Sequence, residues 1–280
     1  MAEVENPKLS AVAALVRRSD RDRFVTALFA PADRREDLLA LYAFNQEVAK
    51  VPEIVSEPLL GSIRLQWWRE TLDEIYAGGK PRRHEVAEPL ARAISRHGLT
   101  RAHFDRILDA RDAELGSPSP ATLAELEDYA EDTSGALMLL ALEILGLRDE
   151  ATAEIGRLAG IGYALAGLLR AAAFQARGGV SHLPRELDPD QAVLMLKSTP
   201  ELRRAVAKVA QAARGHLHAA RSLRGNSKAA ALPALLPAVI AARWLDQIER
   251  AGFDVFARRA VAPDPWRGWR LSFAVWRGRY

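Results

Sequence analysis

Carboxylates one helical turn apart are the residues of this chain best suited to chemistry. At i and i+4 they can grip Mg²⁺ together with a substrate's phosphates, because Mg²⁺ takes hard oxygen ligands and keeps several waters. "EDYAED" sets Asp128 and Asp132 in that relation, with Glu131 beside them. "RETLDE" supplies Glu70, Asp73 and Glu74, and "HFDRILDARD" supplies Asp105, Asp109 and Asp112. Arginines (Arg69, Arg106, Arg111) interleave with two of these clusters, so surface ion pairs on a solvated face are expected there. His216 and His218 are two apart, fall on different sides of a helix and cannot share a metal; a surface or groove position is expected for them. The glycines at 156, 160, 162 and 167 do not follow the spacing of a dinucleotide loop, and no strand precedes them. Small residues there are expected to let helices approach closely. No nucleophile elbow, P-loop or HExxH pattern occurs, and the lack of cysteine excludes disulfides and thiolate metal sites and fits a reducing compartment.

The elements that must position any such groups are helices. Asp33 with Glu36 forms a capping-box pattern ahead of "LLALYAFNQEV", where Leu38, Leu41 and Tyr42 share a face. Thr122 with Glu125 forms another, ahead of a helix expected to run to about Leu145 and stop at Gly146. Thr199-Pro200 starts a helix whose stripe is Leu202, Val206, Val209, Ala213, Leu217, Ala220 and Leu223. "GYALAGLLRAAAFQARGGVSHLP" (162–184) gives a helix, a Gly-Gly break and an extended run. No alternating β-branched run, internal repeat or linker appears. The expectation is one all-α domain over 1–280, with its core at about 20–258 and a Trp/Arg segment at 263–280.

Bulk composition agrees. The 280 residues are 49% hydrophobic and 27% charged, enough to bury a sizeable core. The N-terminal "MAEVENPKLS" is too polar and acidic for a signal peptide. The nearest approach to a spanning segment, "AAALPALLPAVIAA" at 229–242, is short and interrupted by Pro233 and Pro237. The net charge of +3 is too evenly spread for a nucleic-acid stripe.

The order of segments from about Arg23 to Phe256 resembles the squalene/phytoene synthase family of all-α, head-to-head prenyl synthases. "RFVTALFAPADRREDLLALYAFNQEV" is similar to that family's opening helix pair, and "LQWWRETLDEIYAG" to its tryptophan-containing helix. "YAEDTSGALMLLAL" keeps Tyr129 and Gly135 of its tyrosine-to-glycine motif. "GIGYALAGLLRAAAFQARGGVSHLP" resembles its second acidic motif, with Gly160, Leu169, Arg170 and Leu183-Pro184 in place, and "LLPAVIAARWLDQIERAGFDVF" its last helix.

Departures from the family pattern change what the resemblance implies. Its first acidic motif falls on Ala49, Lys50 and Glu53, with Pro52 between them, and its second on Ala171 and Gln175. In active members these sets hold Mg²⁺ against a diphosphate across a central cavity. One carboxylate beside a lysine cannot fix several metal ions. The sequence is most similar to the subgroup that lacks the acidic motifs and supports assembly of mitochondrial complex I; its arginine- and alanine-rich composition fits a bacterial relative. The resemblance therefore implies an isoprenoid-synthase-like bundle around a cavity touched by Glu53, Tyr129, Gly135, Arg170 and Gln175, with no catalytic residue, metal or cofactor. It implies a non-catalytic assembly or scaffold factor for a respiratory NADH dehydrogenase complex, partnered by subunits of that complex, with an isoprenoid or lipid as candidate ligand. The alternative is a Mg²⁺-dependent prenyl transferase. Localisation is expected in the cytoplasm, with peripheral contact on the inner face of the plasma membrane and no nucleic-acid partner.

In "PWRGWRLSFAVWRGRY" Trp266, Trp269 and Trp276 alternate with Arg267, Arg270, Arg277 and Arg279. A closing helix with tryptophans in the core and arginines snorkelling outward is the expected arrangement. The competing one is a membrane or partner contact.

Overall fold

A computed structural model describes residues 9–55, 57–116, 119–188, 190–226 and 229–280; the polar stretch 1–8 lies outside them. In chain order the helices are α1 (Ala11–Ser19), α2 (Arg21–Ala27), α3 (Ala32–Ala49), α4 (Val51–Ile54), α5 (Pro58–Tyr76), α6 (Ala87–His97), α7 (Arg101–Gly116), α8 (Leu123–Ala130), α9 (Ala136–Ile144), α10 (Glu150–Arg177), α11 (Pro200–Ser222), α12 (Leu232–Leu235), α13 (Pro237–Arg250) and α14 (Arg267–Trp276). No strand forms among the described residues, as the sequence pattern requires.

Local capping explains where several helices begin. Thr122 Oγ1 accepts from Glu125 N (3.2 Å) and Thr199 Oγ1 from Leu202 N (3.1 Å), as expected from sequence. The Asp33–Glu36 box does not form. Pro31 occupies the N-cap of α3 and offers no side-chain acceptor, so Asp33 falls inside the first turn, where it pairs with Arg34 and complements the helix dipole. Asp20 caps α2 by accepting from Arg23 N at 3.0 Å. Its carboxylate thus serves both the helix end and the cavity described below.

The 28-residue α10 is the axis of the bundle and packs against α9, α11 and α13. Its length and apolar composition match those of a membrane span, but most of that stretch is buried inside the bundle. Glycines let its neighbours come close. A Cβ on Gly156 would meet Leu142 Cδ1 at 2.5 Å, and one on Gly162 would meet Leu217 at 2.7 Å. At Gly160 the partner is backbone: a Cβ would lie 2.7 Å from both Gly135 Cα and Ser134 O. Opposite that crossing, the helix expected to run unbroken from Thr122 to Leu145 contains a π turn at Glu131–Gly135 between α8 and α9. Such turns often mark functional sites, and this one sends Thr133 and Ser134 to a cavity wall. Phe44, Trp68 and Phe104 close the far side of the core with edge-to-face contacts at 5.1 and 5.3 Å.

Candidate functional site

Between α1–α3, α7, α10, α13 and α14 lies a cavity of two lobes that share Arg23, Asn45, Ala49, Arg111, Tyr163, Gly167 and Trp244 in their common wall. The first lobe, about 1020 Å³, is lined by eight arginines and three aspartates. Arg18 comes from α1, Arg21 and Arg23 from α2, Arg111 from α7, Arg170 from α10, Arg243 from α13, and Arg267 and Arg270 from α14. Some are matched: Arg23 Nη1 lies 2.9 Å from Asp20, Arg270 Nε 3.2 Å from Asp264, and Arg267 pairs with Asp22. Others are not. The Nε atoms of Arg170 and Arg243 are buried without a hydrogen-bond partner, and the Arg170 guanidinium lies over the Trp244 ring at 4.9 Å. Cations in excess of carboxylates, with donors left open, suit an anionic group.

The second lobe, about 890 Å³, is more apolar, with Ile54, Val55, Ala164, Leu168, Phe174 and Val180 in its wall. Four of its polar side chains, Arg111, Glu114, Tyr129 and His182, form one network. Arg111 Nη1 lies 2.9 Å from Glu114 Oε2 and also donates to the Tyr129 hydroxyl, which donates to the same carboxylate oxygen at 2.7 Å. His182 Nε2 donates to Glu114 Oε1 at 2.9 Å. Burial alone would raise the Glu114 carboxyl, but Arg111, His182 and Tyr129 outweigh it and hold it at about 2. Burial pushes the Tyr129 and Tyr163 phenols well above the usual range, and moves Tyr42 up to about 12 against the pull of Arg23. None of these phenols is prepared to act as a base. Burial also raises the Asp22 carboxyl, opposed by Arg267.

The residues singled out in the sequence separate across this cavity. Ala171 and Arg170 line the arginine lobe; Glu53, Tyr129 and Gln175 line the apolar one; Ala49 touches both. Gly135 is instead at the α10 crossing, outside both linings. The three acidic clusters are ion-paired surfaces: Glu131 and Asp132 with Arg106 (3.0 and 2.7 Å), Glu70 and Glu74 with Arg82 (3.0 and 2.8 Å), Asp73 and Asp105 with Arg101 (both 2.8 Å), and Asp109 with Arg69 (2.6 Å). Arg111, expected among those surface pairs, points inward instead. It sits on the face of α7 next to Ile107 and Leu108, which are fully buried, and Glu114 receives it there. His216 is half-buried, 2.8 Å from Glu127, and His218 is exposed.

Sequence reasoning missed the arginine lobe. "RRSDRDR" at 17–23 and "PWRGWR" at 265–270 are both arginine-rich, but no spacing rule brings the two ends of the chain together. Nor do the residues present fit Mg²⁺. Glu53 alone carries a carboxylate at the motif positions, Asp20 and Asp22 are engaged by Arg23 and Arg267, and among the described residues no three His, Asp or Glu side chains gather to hold an ion.

An all-α bundle around a two-lobed cavity walled by its long central helix defines the class. The squalene/phytoene synthase family model matches residues 16–267, and the chain belongs to that family. The fold agrees with that of a dehydrosqualene synthase (TM-score 0.81, 16% identity, covering 95% of this chain and 94% of that one) and of a squalene synthase from Alicyclobacillus acidocaldarius (TM-score 0.75, 20% identity, 87% and 93%). This is the isoprenoid-synthase-like bundle expected from the sequence. Within the family, the chain is 33% identical over 275 residues to the Bos taurus NADH dehydrogenase (ubiquinone) complex I, assembly factor 6, covering 95% of this chain and 81% of that protein. It is 34% identical over 251 residues to the Homo sapiens protein of the same name (86% and 74%). A presqualene diphosphate synthase from Rhodopseudomonas palustris is 27% identical over 161 residues, 56% of each chain.

Proposed function

We propose that this chain is a non-catalytic assembly or scaffold factor for a respiratory NADH dehydrogenase complex, and that its cavity holds an isoprenoid or lipid with an anionic head. The observation that carries this reading is what stands at the motif positions: Ala49, Glu53, Ala171 and Gln175 line a cavity in a bundle whose fold matches that of squalene and dehydrosqualene synthases. Ionising a diphosphate leaves charge on the departing group, and the barrier falls only where cations are fixed against it. One carboxylate cannot fix them as metal ions. The arginine lobe can still bind an anion directly, and the apolar lobe beside it offers room for a chain. The complex I assembly factors that resemble this sequence over most of their length support the partner: subunits of the respiratory complex.

A deletion strain tests the reading. Its membranes are expected to lose NADH dehydrogenase activity and regain it when the chain is restored. Purified protein given farnesyl diphosphate and Mg²⁺ is expected to release no pyrophosphate above background. Undiminished NADH dehydrogenase activity in the deletion strain, together with metal-dependent pyrophosphate release, would establish the prenyl transferase instead.

A further inference from the structure

The tryptophans of the last helix are not in the core. Trp266, Trp269, Phe273 and Trp276 are 62%, 75%, 53% and 79% exposed. At 100° per residue these four positions fall within about 80° of arc, one continuous aromatic stripe. The opposite face is fastened down. Leu271 and Ala274 are buried, Arg267 pairs with Asp22, and Arg270 Nε lies 3.2 Å from Asp264. Beyond the helix, Tyr280 is buried and donates its hydroxyl to Ala220 O at 3.0 Å. The stripe therefore has a fixed direction, held at both ends, and faces away from the protein.

We propose that α14 docks this protein on the surface of an anionic lipid bilayer, its aromatic stripe seated among the headgroups. The composition favours a bilayer over a protein partner. Three of the four rings are tryptophan, the side chain that partitions to the headgroup region, and no exposed aliphatic residue accompanies them on α14. Charge complementarity points the same way. The net charge of the chain is +3, and residues 265–280 carry four arginines and no acid, so the remainder is one unit negative. Arg277 and Arg279 are exposed, and the Arg277 guanidinium lies 5.4 Å from the Phe273 ring centroid, at the edge of the stripe where lipid phosphates would sit. A helix with an aromatic face and flanking arginines lies in the interface plane and does not span it. Because Arg267, Gly268, Arg270 and Leu271 on its inner side wall the arginine lobe, docking would bring that lobe to the membrane surface. The inference does not depend on the assembly-factor reading.

Co-sedimentation with vesicles tests it, using pure phosphatidylcholine and phosphatidylcholine mixed with phosphatidylglycerol. Wild type is expected to bind the mixed vesicles, with a blue shift of tryptophan emission, and to dissociate as salt rises. The variant Trp269→Ser, Phe273→Ser, Trp276→Ser is expected to bind at least tenfold more weakly. Its melting temperature is expected to stay within a few degrees of wild type, since the replaced rings are outside the core. Arg277→Gln with Arg279→Gln should weaken binding to the mixed vesicles roughly fivefold per arginine and leave the phosphatidylcholine background unchanged. Should the triple variant not fold, Trp269→Ser alone serves, with loss of emission quenching by brominated lipid as readout. Failure of wild type to bind mixed vesicles at low salt, or equal binding by the aromatic variants, overturns the proposal. So does self-association in solution that the triple variant abolishes while vesicles have no effect, which would make the stripe a contact between copies.

Discussion

In the arginine lobe, Arg170 and Arg243 form no ion pair among the described residues and each keeps a buried Nε without a partner, whereas in the adjoining apolar lobe Arg111 and His182 bond to the Glu114 carboxylate beside Tyr129, although Arg111 Nε and His182 Nδ1 are themselves buried without partners. The two lobes share a wall, and arginines line both. What differs is whether a carboxylate of the chain meets each guanidinium. A matched arginine is part of the fold, and removing its partner should damage folding. An unmatched one is part of a site, and removing it should damage binding and leave folding intact. Each prediction below breaks or sharpens that distinction.

The largest effect is expected from Glu114→Leu. It leaves Arg111 buried beside Tyr129 without its carboxylate, a loss of about 3–5 kcal/mol by urea unfolding. Its pH dependence has a defined sign. Glu114 is depressed from 4.5 to about 2, so its contribution is fully present above pH 4.5 and disappears as pH falls through about 2. The stability gap between wild type and variant should therefore narrow across that window; a gap unchanged by pH would mean that burial alone sets the effect.

Gly160→Ala tests the crossing that aims the π turn at the wall of the apolar lobe. The added Cβ would meet backbone at 2.7 Å, which cannot swing aside as a side chain can. A loss of about 1–3 kcal/mol in thermal or urea unfolding is expected. Ser134, whose Oγ accepts from Arg23 Nη2 at 3.3 Å, would be displaced with it.

Replacing Arg170 and Arg243 by Gln should do the reverse. Stability is expected to change by less than about 1 kcal/mol, while affinity for oleoyl lysophosphatidate, read by calorimetry, falls about tenfold per arginine. EDTA should make no difference. A requirement for Mg²⁺ in that titration would show that metal and not guanidinium meets the anion.

The smallest effect belongs to Phe174→Ala in the apolar lobe. That ring is 71% exposed, so stability should stay within about 0.5 kcal/mol. Only the preference for long-chain over short-chain lysophosphatidate should decline.

Much of this protein is legible in order and spacing. The all-α class follows from helical periodicity without strand alternation, and the buried face of α11 is the stripe from Leu202 to Ala220. Thr122 and Thr199 cap where their side-chain acceptors dictate. The residues at the motif positions can be read directly, and alanine at 49 and 171 excludes metal ligation there whatever the fold. All of this depends on neighbours within a few residues, which the chain itself supplies.

Which groups meet across the cavity is decided elsewhere. Asp22 and Arg267 stand 245 positions apart and become partners only because α2 and α14 pack on the same side of α10 and α13. Arg111 belongs by spacing to a run of surface charges, and its inward turn depends on Glu114 and Tyr129 lying beyond it. The stripe of Trp266, Trp269, Phe273 and Trp276 is periodic in the sequence. Periodicity establishes that the rings share a face, but whether that face is covered depends on what other segments pack there. For α14 the covered side is the one carrying Leu271 and Ala274, because α13 and the Asp22 carboxylate lie beneath it. Local periodicity is set by backbone geometry; burial and pairing are set by long-range packing, which is why the site and the aromatic face became visible only in three dimensions.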